Sequence, residues 1–147
     1  MIQDFWDEIL LFKGLYDRTL DPVAQRCGLT RMELDLLLFL HNNPGHATAA
    51  EAVRLRRWTK SHVSAAVHAL EERGLLSAVH PPGNRKVLSL TPLPAAENVI
   101  REGTAAQDRF METLNRGVSP EELVLAAQII QKIARNIRDL EKSEVIP

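Results

Sequence analysis

Three closely spaced helix starts between Thr30 and Lys60 restrict the fold more than any other feature of this 147-residue chain. Thr30 and Thr48 each precede a glutamate by three residues, the capping-box pattern in which two side chains satisfy free backbone amides at a helix start. Thr59 is a good N-cap for a third helix beginning at Lys60. The turn-forming stretch Asn42–Gly45 separates the first two helices. The spacing therefore predicts three short helices joined by tight turns.

A β-hairpin is predicted directly after the third helix. That helix should run to about Arg73, because Gly74 supplies the left-handed residue that often closes a helix. The segments Leu75–His80 and Lys86–Leu90 carry apolar and β-branched residues that favour strands, and Pro81–Arg85 has the composition of a hairpin loop. Three helices and a hairpin predict a winged helix-turn-helix, a mainly α fold with a small antiparallel β wing. In that arrangement one helix, here 60–73, lies in the DNA major groove.

Amphipathic helices are predicted on both sides of this unit. Asp21-Pro22 is expected to break or restart the first of them, and Ser119–Glu122 is a further capping box with Pro120 at the first helical position. Apolar residues recur at helical spacing at both ends of the chain: Ile2, Phe5, Trp6, Ile9, Leu10 and Tyr16, and later Leu123, Ala126, Ala127, Ile130, Ile133, Ile137 and Leu140. These stripes exceed what one small winged lobe can cover, which predicts a homodimer.

The length and these patterns together predict a single domain over residues 1–147. Within it we expect residues 29–91 to form the DNA-binding lobe. Residues 1–28 and 93–147 are then dimerisation helices on either side of the lobe.

Charge is unevenly distributed along the chain, although its formal net value is only −1. Residues 46–91 hold seven Lys/Arg against three Asp/Glu, whereas the segments before and after carry net charges of −3 and −2. A basic centre between acidic flanks indicates a negatively charged partner such as DNA.

The predicted helix 60–73 has one apolar face and one face of short polar residues. At 100° per residue the inward positions are Val63, Ala66, Val67 and Leu70, and the opposite ones are Ser61, Ser64, Ala65, His68 and Glu72. Short side chains allow a helix backbone to approach base edges, where hydroxyl and imidazole groups form hydrogen bonds. Because Glu71 and Glu72 would repel phosphate, the N-terminal half of the helix should enter the groove.

Each candidate DNA contact receives a role from its place in the chain. Base edges are expected to be contacted by Ser61, His62, Ser64 and His68. Phosphates at the helix entry are expected to be held by Thr59 and Lys60. The flanking backbone or minor groove is assigned to Arg56, Arg57, Asn84, Arg85 and Lys86.

The stretch from Leu29 to Thr91 resembles the MarR family of bacterial winged-helix transcription regulators. The resemblance rests on four motifs: Leu29-Thr30, Thr59-Lys60-Ser61-His62-Val63-Ser64, Leu70-Glu71-Glu72-Arg73-Gly74-Leu75-Leu76 and Leu88-Ser89-Leu90-Thr91. It implies a homodimer whose terminal helices interlock and whose two lobes bind a pseudo-palindromic operator, often as a repressor. The wing departs from the family's Asp-x-Arg element, since Pro82-Gly83-Asn84-Arg85 stands there.

The resemblance also implies a small-molecule effector that binds between the dimerisation helices and the DNA-binding lobe. An aromatic or lipophilic effector is typical of the family. The aromatic residues that could line such a site are Phe5, Trp6, Phe12, Tyr16 and Trp58.

Other function classes receive less support from the sequence. No phosphate-binding loop, nucleophile elbow or zinc-protease helix is found, so we expect neither an enzyme nor a cofactor. The longest apolar run, Leu36–Leu40, is too short to cross a membrane, and the acidic start lacks a signal peptide's basic region, so a cytoplasmic protein is expected. The histidine spacing is poor for a metal site.

Two alternatives stay open at this point. The first is a metal- or thiol-responsive sensor of the same fold; the thiol version would need a lowered pKa at the single cysteine, Cys27. The second is a winged helix used only for protein contact, in which Lys60 and Arg85 would be dispensable.

Overall fold

The computed structural model describes the backbone of residues 2–143 and the side chains from residue 4 onward. The side chain of Ile2, part of the predicted apolar stripe, lies outside the described residues. The chain divides into two compact units, one reaching to Met111 and the other beginning at Glu112. No helix in the described part is long and apolar enough to span a membrane.

The first unit contains a winged helix-turn-helix preceded by a long helix. Its elements in chain order are α1 (Ile2–Arg26), α2 (Arg31–Asn42), α3 (Ala49–Arg56), α4 (Lys60–Glu72), β1 (Leu76–Val79), β2 (Ser89–Pro92) and most of α5 (Glu97–Leu114). A short 3-10 turn, Pro94–Ala96, leads into α5. The fold is mainly helical with a two-stranded antiparallel wing, which confirms the predicted fold class.

The core of this unit is built around α2, whose apolar side chains are buried on nearly all sides. Five consecutive residues, Leu36–Leu40, are at most 4% exposed. Against them pack the apolar faces of α1, α4 and α5, including Leu20, Val63, Leu70 and Ala106. The predicted inward face of α4 is therefore confirmed as core, and this burial fixes which face of α4 remains outside.

Helix α1 continues through Pro22, so the predicted break at Asp21-Pro22 is wrong. Leu20 and Val23, on either side of the proline, are 0% and 1% exposed. Burying these two side chains contributes about 1.5–3 kcal/mol each, which offsets the roughly 3 kcal/mol cost of an interior proline.

The second strand of the wing begins later in the sequence than predicted. Strand β1 agrees with the prediction, but β2 spans Ser89–Pro92, so Lys86–Leu88 belong to the loop. The register pairs Leu76 with Pro92 and Val79 with Ser89. The segment before α3 adds to this edge, since the amide of Leu90 donates to the Ala47 carbonyl at 2.8 Å. Strand β2 begins at Ser89 because this is the first residue that pairs with β1, and local patterning does not reveal that register.

Helix starts follow the predicted caps with one exception. Thr30 and Ser119 form complete reciprocal capping boxes, and Thr59 caps α4. Thr48 accepts the amide of Glu51, yet the reciprocal half is absent, because the Glu51 carboxylate pairs with Arg54 and His46 instead. The hydrogen bond from Arg54 lowers the pKa of the half-buried Glu51.

The second unit consists mainly of α6 (Pro120–Lys142), together with the last residues of α5. None of the 23 residues of α6 is buried. Its large apolar side chains are strongly exposed, for example Ile130 at 64% and Ile137 at 60%.

Candidate nucleic-acid interface

The outer face of α4 is exposed and carries the short polar residues predicted for it. Ser61, His62, Ser64 and His68 are all exposed, and so is Ala65 between them. The helix N-terminus at Lys60 has no acidic residue in its first turn. A helix start of this kind presents free amides and a positive partial charge, which favours an anion.

The entry to α4 is ordered by its cap. The Thr59 hydroxyl accepts the amide of His62 at 3.1 Å and lies 3.3 Å from the Ser61 hydroxyl. The cap already uses one acceptor site of Thr59, so this side chain has a structural role in addition to the predicted phosphate contact. The Ser61 hydroxyl is held beside it at the exposed start of the helix.

A groove of about 350 Å³ runs between α3, α4 and the wing. Lys60 and Ser64 line it from α4, and Lys86 with Leu88 line it from the wing side. None of the described residues lining the groove is acidic. Two of the predicted α4 contacts are thus brought together with a predicted wing contact on one positively charged surface.

The C-terminal half of α4 is acidic, and two of its side chains pair with each other. His68 Nε2 lies 3.2 Å from a carboxylate oxygen of Glu72, and both side chains are exposed. This pair occupies one nitrogen of His68, whereas His62 and Ser64 lie nearer the basic end. The charge distribution agrees with an approach to an anion by the N-terminal half.

The wing tip is shaped by side chains that also stand among the predicted contacts. The Asn84 Oδ1 accepts the backbone amide of Lys86 at 3.1 Å, and His80 Nδ1 lies 2.7 Å from the Val87 carbonyl oxygen. Arg85 is exposed between them. Asn84 therefore helps to form the loop that presents Arg85 and Lys86, a role that its place in the sequence did not reveal.

The two arginines before α4 differ in backbone conformation, and one of them lines a cavity. Arg57 adopts φ 55°, the left-handed conformation, and is the only non-glycine residue with positive φ in the described part of the chain. Arg56 lies over the Phe39 ring, 5.6 Å from its centroid, beside a separate cavity. Arg57 thus belongs to the turn between α3 and α4, whereas Arg56 also contributes to this cavity.

This second cavity, of about 170 Å³, lies behind the α3–α4 turn. Its lining combines aromatic and polar side chains: Tyr16, Asp35, Leu38, Phe39, Asn42, Arg56, Trp58 and Gln107. Trp58 meets Phe39 edge to face at 6.0 Å, and Gln107 donates to the Tyr16 hydroxyl at 2.6 Å. Burial raises the pKa of the Asp35 carboxyl, while its hydrogen bond from Arg31 acts in the opposite direction.

Only part of the aromatic set predicted to surround an effector lines this cavity. Tyr16 and Trp58 do, and Phe12 stacks on Tyr16 at a centroid distance of 6.3 Å. Phe5 and Trp6 are 63% and 58% exposed near the start of α1. The polar lining residues Asp35, Asn42 and Gln107 were missed, because no local pattern relates positions so far apart in sequence.

The surroundings of Cys27 oppose the thiol-sensor alternative. Burial raises the pKa of the Cys27 thiol, as does the charge of Glu102, and Arg26 and Arg73 only partly counteract this. A raised pKa reduces the thiolate fraction on which such sensing depends. For the metal alternative, no group of three His, Cys, Asp or Glu side chains suited to an ion is found among the described residues.

Comparison with known proteins gives one family and one fold. The sequence model of the MarR family matches residues 28–86. A MarR-family regulator from Silicibacter pomeroyi has a TM-score of 0.77 at 17% identity, covering 93% of this chain and 90% of that one. A MarR protein from Peptoclostridium difficile has a TM-score of 0.77 at 15% identity, covering 92% and 88%.

BpsR of Bordetella bronchiseptica, whose DNA binding is regulated by 6-hydroxynicotinic acid, is also similar. Its TM-score is 0.67 at 17% identity, covering 89% of this chain and 98% of that one. No curated protein sequence matches the chain. At these identities the structural likeness establishes a shared fold, and the predicted resemblance to the family is confirmed.

Proposed function

We propose that this chain, whose residues 28–86 match the MarR family model and whose fold is that of MarR-family structures, is a sequence-specific DNA-binding repressor that acts as a homodimer on a pseudo-palindromic operator. The observation that carries the proposal is the outer face of α4. Small polar side chains there leave the helix backbone accessible, and Lys60 and Lys86 share one groove with Ser64. Major-groove recognition requires this combination of close approach and positive charge.

The contacts are divided between reading bases and holding phosphates. Ser61, His62, Ser64 and His68 meet base edges, and Thr59 with Lys60 holds the phosphates at the helix entry. Flanking contacts come from Arg56, Arg57, Asn84, Arg85 and Lys86. Because Arg56 also lies over Phe39, its phosphate contact is expected to be the weakest of this group.

A homodimer is supported by apolar surface that each unit leaves exposed. The first half of α1 exposes Phe5, Trp6 and Leu10, and α6 exposes Ile130 and Ile137. Covering one such side chain contributes about 1.5–3 kcal/mol. A second copy supplies the same apolar surfaces by symmetry, and a two-fold dimer matches the two half-sites of a palindrome.

A small aromatic or lipophilic molecule is the proposed effector, and the cavity beside Trp58 is its site. The edges of Tyr16, Phe39 and Trp58 accept a planar apolar body, while Asp35 and Gln107 offer polar contacts. Trp58 directly precedes the Thr59 cap of α4. A ligand that displaces Trp58 therefore alters the position at which the recognition helix begins.

The proposal is tested by selecting binding sequences from a pool of random DNA duplexes. The affinity of the protein for the most enriched duplex is then measured at several salt concentrations. Enrichment of a palindrome with half-sites about one helical turn apart, and a steep salt dependence, are expected. The single substitution Arg85→Ala should weaken binding to all sequences and reduce the salt slope by about one. An unchanged slope would remove Arg85 from the contacts.

Charge reversal distinguishes a DNA-binding protein from a winged helix used for protein contact. The double variant Lys60→Glu/Arg85→Glu should lose DNA binding, whereas Arg116→Glu/Lys142→Glu reverses the same charge at exposed positions outside the winged unit and should retain it. Equal loss in both variants, or no enrichment of any sequence by the unaltered protein, would contradict the proposal.

Effector binding is tested with the variant Trp6→Phe, in which Trp58 is the sole tryptophan. A panel of aromatic acids and lipophilic phenols is screened for release of the selected duplex and for a change in Trp58 fluorescence. A compound that releases DNA should lose its effect when Tyr16→Ala enlarges the cavity. Release that leaves both Trp58 fluorescence and the Tyr16 variant unaffected would place the effector elsewhere.

A further inference from the structure

One arginine joins the end of the recognition helix to the end of α1. Arg73 forms the C-cap of α4, and its guanidinium reaches a turn 45 residues earlier in the chain. Its Nη1 donates to the Gly28 carbonyl at 2.6 Å, and its Nη2 donates to the Cys27 carbonyl at 3.2 Å. Both carbonyls belong to the turn directly after α1. Arg73 is therefore a side-chain link between these two helices.

The two helix ends that meet at Arg73 are built alike. Gly28 follows α1 with φ +65°, and Gly74 follows α4 with φ +67°. In each case the next residue, Leu29 or Leu75, donates its amide to a carbonyl in the last turn of the helix. The Arg73 guanidinium thus binds carbonyls at the C-terminus of α1, where the negative partial charge of the helix favours a cation.

Helix α1 is continuous from the exposed apolar surface to this link. Its 25 residues correspond to a rod about 37 Å long. Phe5, Trp6 and Leu10 are exposed in its first half, and Leu20 and Val23 are buried in its last third. A single rigid element therefore connects the surface proposed for the second copy with the turn held by Arg73.

We propose that Arg73 is a positioning residue that sets the orientation of the recognition helix relative to α1, and thereby the half-site spacing the dimer accepts. The inference rests on the proposed function. Buried contacts fix α4 along its apolar face from Val63 to Leu70. Arg73 holds the helix beyond the last of these contacts, at the end opposite the helix entry, and its hydrogen bonds restrain the direction of α4 relative to the end of α1.

Two other roles for Arg73 predict different results. A direct phosphate contact would lower the salt slope by about one and leave the spacing preference intact. A purely structural contact would lower the melting temperature and again leave the spacing preference intact. Because Arg73 is exposed, its loss should leave the protein folded and measurable.

The experiment compares Arg73→Met with Arg101→Met, which removes another exposed arginine whose hydrogen bond, to Asn98, stays within α5. The selected palindrome is resynthesised with its half-sites moved closer or farther in single base-pair steps. Affinity for each duplex, salt slope, melting temperature and dimer mass are measured for the full chain. Arg73→Lys serves as the conservative variant, since it retains the cation and one donor.

The unaltered protein and Arg101→Met should prefer one spacing clearly over its neighbours. In Arg73→Met the ratio of the affinity for the preferred spacing to the affinity for its neighbours should fall by about threefold to tenfold. This free-energy change is within the range of one or two hydrogen bonds, and the salt slope should be unchanged. Arg73→Lys should recover part of it. An identical spacing profile in all variants would overturn the inference, and failure of the unaltered protein to bind any palindrome would overturn the proposed function itself.

Discussion

Helices α4 and α6 both present an exposed face, but the chemistry of the two faces is opposite. The outer face of α4 carries Ser61, Ser64 and His68, while its inner face is buried, with Val63 at 1% exposure. Helix α6 has no buried residue, and Ile130 is 64% exposed. A polar exposed face is stable in water and available for an anion, whereas an apolar one is stable only when covered. The same exposure thus supports the proposed DNA contact in one case and the proposed dimer contact in the other.

The largest effect should come from placing a charge on the apolar face of α6. Ile130→Glu leaves the fold of the single chain intact, because this side chain is exposed there, but an unpaired carboxylate cannot be buried without a large cost. We expect the dissociation constant of the dimer, measured by sedimentation, to rise by about a hundredfold or more.

Its matched control is Gln131→Glu, which adds the same charge to the neighbouring polar side of α6. That variant should remain dimeric. Dimers of full stability in Ile130→Glu would show that the two faces of α6 do not differ in the way described.

The next largest effect should come from the outer face of α4. Ser64→Glu places a carboxylate in the groove with Lys60 and Lys86, where it would repel phosphate and block close approach to bases. Affinity for the selected duplex should fall by about a hundredfold with no change in dimer mass. Gln25→Glu, an equal charge change on the exposed part of α1, should bind normally. Normal affinity in Ser64→Glu would remove α4 as the recognition helix.

A smaller effect is expected where α5 packs against the core. Unlike the outer face of α4 and the apolar face of α6, this surface is already covered within the chain. A Cβ at Gly103 would lie 2.8 Å from Leu38 Cδ2, so Gly103→Ala must displace a buried leucine. A loss of about 1–2 kcal/mol in the free energy of unfolding should result, even though alanine favours a helix.

Gly14→Ala in α1 provides the comparison, because nothing lies within 4 Å of its added Cβ. It should increase stability by up to about 1 kcal/mol. Denaturant titration of both variants measures the contrast, and equal changes at the two glycines would refute the close contact with Leu38.

The smallest effect concerns the turn that leads into α4. Arg57→Gly keeps the left-handed conformation of the turn but removes its steric cost, because glycine has no Cβ, so the melting temperature should rise by an amount corresponding to about 0.5–1 kcal/mol. The same change removes a proposed phosphate contact and should lower the salt slope by about one. The melting temperature of Arg57→Asn should lie between those of the unaltered protein and Arg57→Gly. Lower stability in Arg57→Gly would mean that the arginine side chain contributes more than its backbone strain costs.

Local signals in the sequence were sufficient for several helix starts and for much of the winged helix-turn-helix. Thr30, Thr59 and Ser119 begin helices where predicted, since a cap depends on residues three positions apart. The apolar period of α4 correctly divided its buried and exposed faces. Local reasoning failed at Pro22, where core burial offsets the cost of the proline, and at Lys86–Leu88, which precede the first residue that pairs with β1.

What the sequence by itself determined is the order of the elements, the inward face of α4 and the concentration of positive charge near α4, because these depend on neighbouring residues and on composition. The tertiary structure alone decided the cavity lined by Tyr16, Asp35 and Gln107, and the link from Arg73 to the turn after α1. These contacts join residues up to 91 positions apart, as in the hydrogen bond from Gln107 to Tyr16. Such pairs form only when the hydrophobic core brings the helices together, and no local periodicity encodes which side chains will then meet.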